Sequence, residues 1–374
     1  MIANLSKEER RELGQSVRGA CTRLSPEERV RVVAFEEEGR HRGFDAELWR
    51  ALCTQVGVLT IALPDELGGA GYGATALGVV GHELGRALAP VPFIASVLAT
   101  SLTVRTNPDL AAEHLDALAA GERIAAAAIC SNNGEWHRDA VTLIAQPRGR
   151  EWAINGEASH VLGATAADVL VVVATVDDQP EVFLLDTSGD GVTVRPERVL
   201  DATRPMATVA LSSAPAVKLS DGPADSAIEW CVQRTIAVLS AEQVGACERV
   251  LEIATDYART REQFGRPIGS FQAVKHRCAD MLVDLEFARS ASLAALQSAD
   301  NDDGELCWRA SMAKAVCSEA LRNASHANLQ IHGGIGYTWE DSAHMYLKRA
   351  RTDEVLFGGP GHHWDRLAGE AKLL

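Results

Sequence analysis

The chain has 374 residues, of which 47% are hydrophobic, so it can bury a substantial core and divide into two or three domains. Its 36 Lys and Arg residues against 51 Asp and Glu residues give a formal net charge of −15, which argues against a broad nucleic-acid surface. Neither a secretory signal nor the ~18 apolar residues of a membrane span is visible. We therefore expect a cytoplasmic protein without a membrane or nucleic-acid partner.

Residues 1–120 show the pattern of an N-terminal helical domain. Ser25-Pro-Glu-Glu28 offers a cap, a proline at the first helical position and acidic residues in the first turn. The glycine-rich stretch Leu63-Pro-Asp-Glu-Leu-Gly-Gly-Ala-Gly-Tyr-Gly73 has the composition of a nucleotide loop. However, it lacks a Gly-Lys-Ser/Thr ending and a spaced G-x-G-x-x-G, so we do not assign it to phosphate binding.

Residues 121–222 change to the period of β-strands and are predicted to form a middle antiparallel barrel or sandwich. Val169-Leu-Val-Val-Val-Ala-Thr175 and Val182-Phe-Leu-Leu185 are short runs rich in strand-forming residues. Asn155-Gly156, which lies between two further apolar runs, predicts a tight hairpin turn.

Residues 223–374 are predicted to form a C-terminal four-helix bundle. Ser226-Ala-Ile-Glu229 has the spacing of a capping box, which would open a long helix that runs toward Phe264-Gly265. Two further helices are predicted over residues 271–296 and 305–331. The three parts together predict an α+β multidomain fold.

Eight cysteines are scattered along the chain without a Cys-x-x-Cys pair. This spacing indicates neither a zinc site nor a dense disulfide framework. We expect reduced thiols in the core. The adjacent pair His362-His363 lacks a third ligand at helical spacing, so no metal site is predicted.

Two motifs in the bundle carry the strongest functional signal. They are Arg261-Glu-Gln-Phe-Gly-Arg-Pro-Ile-Gly-Ser-Phe-Gln-Ala-Val-Lys-His-Arg-Cys-Ala-Asp-Met281 and Gln330-Ile-His-Gly-Gly-Ile-Gly-Tyr337. Both resemble the flavin-contacting segments of acyl-CoA dehydrogenases, and Leu63–Gly73 with the helix after it is similar to the N-terminal domain of that family. The resemblance implies FAD as cofactor, an acyl-CoA substrate, and an electron-transfer flavoprotein or similar electron acceptor.

In this family FAD lies between the barrel and the bundle, and a neighbouring subunit's bundle holds the diphosphate and adenosine. By motif position, Arg261 would pair with the diphosphate, Phe264 would pack near the adenosine and Gln272 would hydrogen-bond the ADP part. A guanidinium suits a diphosphate and an apolar ring suits stacking. Gln330, Gly333 and Gly334 belong with them, since glycines let backbone amides approach an anion closely.

The catalytic base is where the sequence departs from the family. Members use a glutamate at one of two places to remove the α-proton, while the β-hydrogen leaves as hydride to the flavin. Those places match Thr235 and Gly358, and neither residue can act as a base near neutral pH. Glu242, seven residues after Thr235 and on the same side of the helix, is a candidate replacement; the alternative is an exposed or subunit-facing charge. Gly358 would also enlarge the cleft.

The residues that face the flavin ring are altered as well. His160-Val-Leu162 stands where the family has Trp-Ile-Ser/Thr, and Ser131-Asn-Asn-Gly-Glu-Trp136 replaces an acidic, glycine-rich segment. The chain thus resembles one subunit type of the heteromeric acyl-CoA dehydrogenases of bacterial sterol side-chain degradation. It would form a homo- or hetero-oligomer with a related subunit.

Three functions stay open at this point. The first is a dehydrogenase subunit that catalyses or supports the α,β-desaturation of a bulky or steroid-type acyl-CoA. The second is a catalytically silent subunit that completes a partner's FAD site. The third is flavin-dependent oxygen chemistry on the same scaffold, as in monooxygenase-like relatives.

Overall fold

A computed structural model describes residues 5–36, 43–130, 136–149 and 151–370, and it begins with a group of helices. The alternation of apolar and polar positions lets each helix bury one face against the others. In the described residues the helices of this part are α1 (Lys7–Leu24), α2 (Glu27–Arg31), α3 (Ala46–Ala51), α4 (Ala74–Arg86), α5 (Phe93–Thr106) and α6 (Pro108–Ala119).

The middle part is one closed sheet, as the predicted barrel requires. Its strands in the described residues are β1 (Ala125–Ala128), β2 (Ile144–Arg148), β3 (Glu151–Leu162), β4 (Val169–Val176), β5 (Gln179–Asp186), β6 (Val192–Pro196) and β7 (Met206–Lys218). The strand order is β1-β4-β2-β3-β7-β5, and β4 also pairs with β5. Most pairs are antiparallel, but β1 runs parallel to β4, which the sequence did not predict.

The hairpin predicted at Asn155-Gly156 is wrong, because β3 continues through both residues. Gly156 (φ +123°) lies at a bulge in the pairing of β3 with β7. A Cβ there would come within 2.6 Å of the Thr142 carbonyl oxygen, so the glycine permits a close strand approach. The tight hairpin instead joins β4 to β5 through Asp177 and Asp178, both with positive φ.

The C-terminal part is the predicted helical bundle. It contains, in chain order, α7 (Asp225–Thr260), β8 (Glu262–Gln263), β9 (Arg266–Pro267), α8 (Gln272–Asn301), α9 (Leu306–His332), α10 (Ala343–Val355) and α11 (Pro360–Glu370). The predicted boundaries at residues 120 and 222 fall between α6 and β1 and between β7 and α7.

The predicted caps of two helices are not formed. The N-cap of α7 is Ala224 without a side-chain cap, and the Glu229 carboxylate binds Gln233 and Arg366 instead of closing a capping box. Ser25 ends α1 rather than capping α2, and its hydroxyl is buried without a hydrogen-bond partner. In both places side-chain packing between helices outweighs the local capping preference.

Four helices and the sheet interior supply the core. The bundle packs α7 against α4, α8 and α9, and it buries thiols that include Cys21, Cys231 and Cys247. Burial raises the pKa of each of these three thiols to about 12, so they are protonated at neutral pH as expected of core cysteines. None of the helices in the described part of the chain combines the length and apolar character needed to cross a bilayer.

The crossing of α4 and α7 gives a stability prediction. A Cβ on Gly245 would lie 1.9 Å from the His82 carbonyl oxygen, so alanine there must push the two helices apart. We expect Gly245→Ala to cost about 1–3 kcal/mol of unfolding free energy, measured by urea denaturation. Gly19→Ala on exposed α1, where no described atom lies within 4 Å, is the control and should be neutral or slightly stabilising. Equal effects of the two changes would contradict the close-packing argument.

Candidate functional site

The residues predicted to hold the diphosphate and adenosine lie at one end of the bundle. Arg261 ends α7, where its amide donates to the Tyr257 carbonyl oxygen at 2.8 Å. Phe264 sits at the tip of the β8–β9 turn with φ +56°, and its ring is 92% exposed. Gln272, also exposed, begins α8. A two-residue turn between two helix ends therefore presents all three side chains to solvent.

The second motif reaches the same end from α9. Gln330 is exposed on its last turn, and Gly333 (φ +63°) with Gly334 follows directly. The two motifs are joined by stacking of the His332 ring on the Tyr257 ring, with centroids 4.1 Å apart. The fold thus brings together residues that are about 70 positions apart in the sequence.

This end has the properties of a platform for an anionic dinucleotide. A Cβ on Gly333 or Gly334 would meet no described atom within 4 Å, so the backbone there is open to a ligand. A guanidinium, two carboxamides and an exposed ring are the groups that suit a diphosphate and an adenine. The residues present fit the ADP part of FAD, and they face away from the chain's own core.

The two places of the family's catalytic glutamate hold no carboxylate. Thr235 is fully buried, and its hydroxyl donates to the Cys231 carbonyl oxygen at 2.8 Å within α7. Gly358 has φ +95°, and a Cβ there would lie 2.9 Å from Cδ2 of His362 and 3.2 Å from Nε2 of His363. Our expectation that Gly358 enlarges the cleft is therefore wrong, because imidazole rings fill that space.

His363 is a structural residue of this loop. Its buried ring donates from Nε2 to the Phe357 carbonyl oxygen at 2.9 Å, and burial lowers its pKa to about 3. The ring is therefore neutral at physiological pH, and it holds the chain before α11. Among the described residues, no three His, Cys, Asp or Glu side chains are grouped so that they could hold a metal ion.

Glu242 lies inside the protein, which corrects the expected alternative of an exposed or subunit-facing charge. Its side chain is 4% exposed, and Oε1 accepts from Arg204 and from Arg349 Nη1, the latter at 2.7 Å. The Arg349 Nε donates to Asp201 at 2.6 Å, and Arg204 Nε lies 3.1 Å from an Asp353 oxygen. These five side chains form a buried charge cluster of two cations and three carboxyl groups.

The cluster is charge-balanced if one carboxyl group carries a proton. Burial raises the pKa of Asp353 to about 7, although both arginines oppose that shift. For Asp201, burial also raises the pKa, but attraction to Arg349 outweighs it and the net shift is downward. Two guanidinium groups thus engage the Glu242 carboxylate, an arrangement that suits a structural ion pair better than a general base. The catalytic role of Glu242 stays a prediction.

The side expected to face a flavin ring is closed within this chain. His160 donates its amide to Glu197 at 2.9 Å, and its ring binds the same carboxylate. Leu162 lines a cavity of only about 30 Å³ beside Arg204 and Glu242, which is room for a water or two. The segment Ser131–Trp136 lies outside the described residues except for Trp136.

Sequence reasoning missed the partners of Glu242. Arg204, Asp201 and Arg349 come from the loop before β7 and from α10, and no local spacing relates them to α7. Asp353 and Glu354, expected to be salt-bridge partners, are confirmed in that role: Asp353 contacts Arg204, and Glu354 binds Arg322 and Arg351.

Comparisons with known proteins match both motif regions. Residues 7–122 match the model of the acyl-CoA dehydrogenase N-terminal domain, and residues 226–370 match that of the C-terminal domain. The acyl-CoA dehydrogenase IpdE2 of Mycobacterium tuberculosis is 33% identical over 364 residues, which cover 97% of each chain. The chain belongs to the acyl-CoA dehydrogenase family.

Two solved structures of dehydrogenases are similar over nearly the whole chain. One is the ChsE4–ChsE5 complex of Mycobacterium tuberculosis, with a TM-score of 0.88 and 29% identity, covering 99% of both chains. The other is a variant of the Tcur3481–Tcur3483 steroid dehydrogenase, with a TM-score of 0.87 and 30% identity over 98% of this chain and 99% of that one. The recognised family, its flavin cofactor FAD and the three-part fold are thereby confirmed.

Membership places the dehydrogenase among flavoprotein oxidoreductases that act on CH–CH groups. It also explains why the platform of Arg261, Phe264 and Gln272 faces outward, since family members share FAD between neighbouring subunits. The individual contacts of these residues with FAD stay predictions.

Proposed function

We propose that the chain is the silent subunit of a heteromeric FAD-dependent acyl-CoA dehydrogenase that α,β-desaturates a bulky, steroid-type acyl-CoA. It holds the ADP part of FAD with Arg261, Phe264, Gln272, Gln330 and the Gly333–Gly334 backbone. A related partner subunit supplies the flavin-ring contacts and the base. When bound, FAD supplies the acceptor for the β-hydrogen, and an electron-transfer flavoprotein or similar acceptor removes the electrons.

The observation that carries this proposal is the contrast between the two ends of the chain. The platform for ADP is open and polar, whereas Thr235 and Gly358 provide no proton acceptor and the ring side holds only a 30 Å³ cavity. A self-sufficient dehydrogenase needs a carboxylate within reach of the substrate α-carbon. Glu242 is committed to Arg204 and Arg349 instead.

The relatives support the partner and the substrate class. One similar structure is a complex of two differently named subunits, and another is a steroid dehydrogenase with paired names. We extend both properties to this chain, and we place it in the cytoplasm because its buried cysteines are protonated thiols. Among the described residues we find no feature that favours oxygen chemistry, and turnover dependent on NADH and a reductase would reveal it.

The test is the visible flavin spectrum and the FAD-to-protein ratio of the purified chain, alone and co-expressed with a related subunit. We expect the chain alone to be nearly colourless. The complex should be yellow and should bleach when a sterol-type acyl-CoA is added without oxygen. A chain that retains FAD alone and bleaches would show a self-sufficient dehydrogenase and would overturn the proposal.

A further inference from the structure

A second, larger cavity lies on another side of α7 from the positions discussed above. It measures about 470 Å³, and its walls come from the Leu59–Leu77 segment, α5, the start of α7 and the end of α8. Neither Thr235, Leu162 nor Gly358 lines it, because the cavity meets α7 at Trp230 and Arg234, and Arg234 points about 100° away from Thr235. Its volume is in the range of small-molecule sites.

The cavity wall carries hydrogen-bond donors that lack an anionic partner. Arg234 Nη1 donates to the Ser101 hydroxyl at 2.7 Å, and no carboxylate of the described residues forms an ion pair with its guanidinium. Burial lowers the pKa of Arg234 because the charge is held away from water. The Trp230 indole Nε1 is buried without an acceptor, and the Thr100 hydroxyl, in a side chain 94% buried, also has no partner.

These donors lie close to one another. Trp230 and Arg234 are one turn apart on α7, and the Arg234 guanidinium carbon is 5.8 Å from the centre of the Trp230 ring. Ser101 joins Arg234 to α5, next to Thr100. Unsatisfied buried donors are costly, so this cluster indicates an acceptor that is part of a ligand.

The acidic side chains of the cavity decide which anion fits. Asp300 uses both carboxylate oxygens to accept from the amides of Ala74 and Thr75 at the start of α4, so it leaves Arg234 without a direct partner. Asp65 and Glu66 are exposed at the mouth, where they repel multiply charged anions such as phosphates. The remaining wall is mainly apolar, and includes Leu59, Leu77, Val97 and Val104.

We propose that this cavity binds a small monocarboxylate with an apolar body, whose carboxylate accepts from Arg234, Trp230 Nε1 and the Thr100 hydroxyl. The apolar body lies along α5 and the Leu59–Leu77 segment. Arg105, which stacks on Trp230 at 4.5 Å and is exposed, stands at the entrance and attracts the anion. The site does not depend on flavin binding or on the proposed partner subunit.

The experiment is isothermal titration calorimetry of the purified full chain with octanoate and with the neutral analogue 1-octanol. We expect saturable binding of one octanoate per chain, and binding of 1-octanol at least about tenfold weaker, because the alcohol cannot accept a charge-assisted pair. Arg234→Gln should weaken octanoate binding by about tenfold to a hundredfold. Trp230→Phe, which keeps the ring but removes the N–H, should weaken it several-fold.

The matched control is Arg309→Gln, since Arg309 also stacks on a tryptophan, Trp308, but lies outside the cavity. It should leave octanoate binding unchanged. If Arg234→Gln does not fold, Trp230→Phe alone decides. Absence of octanoate binding, equal binding of octanoate and 1-octanol, or unchanged binding by the cavity variants would each overturn the proposal.

Discussion

Arg349→Met is expected to destabilise the protein by about 3–5 kcal/mol. The Arg349 side chain is 1% exposed and donates to Asp201, Glu242 and Thr203. Its removal leaves three buried carboxyl groups with Arg204 as the one remaining cation of the cluster. Such uncompensated buried charge is among the few causes of a loss this large. The measurement is the shift of the urea unfolding midpoint.

Arg351→Met is the matched control on the same helix. Its half-exposed side chain pairs with Glu354 at the protein surface, so the change should cost less than about 1 kcal/mol. Arg349→Lys should fall between the two, since an ammonium group keeps the charge but cannot reach three partners with a fixed fork. A loss for Arg349→Met no larger than the control would mean that the cluster contributes little to stability.

The same cluster provides the test of Glu242. As an ion-pair partner, Glu242→Gln should lower stability and leave turnover of the complex nearly unchanged per folded molecule. As a catalytic base, the same change should abolish turnover. Measured together, unfolding midpoint and turnover distinguish the two roles.

Arg261→Ala is expected to weaken FAD retention by the complex by about tenfold to a hundredfold. A charge-assisted hydrogen bond to a diphosphate contributes about 1.5–3 kcal/mol, and the exposed Arg261 makes no described ion pair that would compete for its guanidinium. The dissociation constant of FAD, followed by flavin fluorescence, is the measurement.

Arg259→Ala supplies the comparison, because Arg259 is exposed on the same last turn of α7 but pairs with Asp256. It should leave FAD affinity within about twofold of the unchanged complex. Similar losses for both variants would indicate a general charge effect, and no loss for Arg261→Ala would contradict the assignment of the platform.

The predictions that succeeded from sequence rest on local patterns. The strands around Val169 and Val182 and the long helices α8 and α9 follow from periodicity, which the chain carries in consecutive residues. The hairpin at Asn155-Gly156 and the capping box at Ser226 failed because a turn or cap motif is short. Strand pairing and the Glu229–Arg366 contact overrode both.

The sequence by itself determined the family, the cofactor and the absence of glutamate at Thr235 and Gly358, since these depend on residue identity at fixed spacing. Only the tertiary structure decided the fate of Glu242. Its partners Arg204 and Arg349 lie 38 and 107 residues away, and burial fixes what its charge can do. The same holds for the Arg234 cavity, because a space between helices belongs to no single segment. Residue types specify the available chemistry, whereas packing decides which groups remain free to use it.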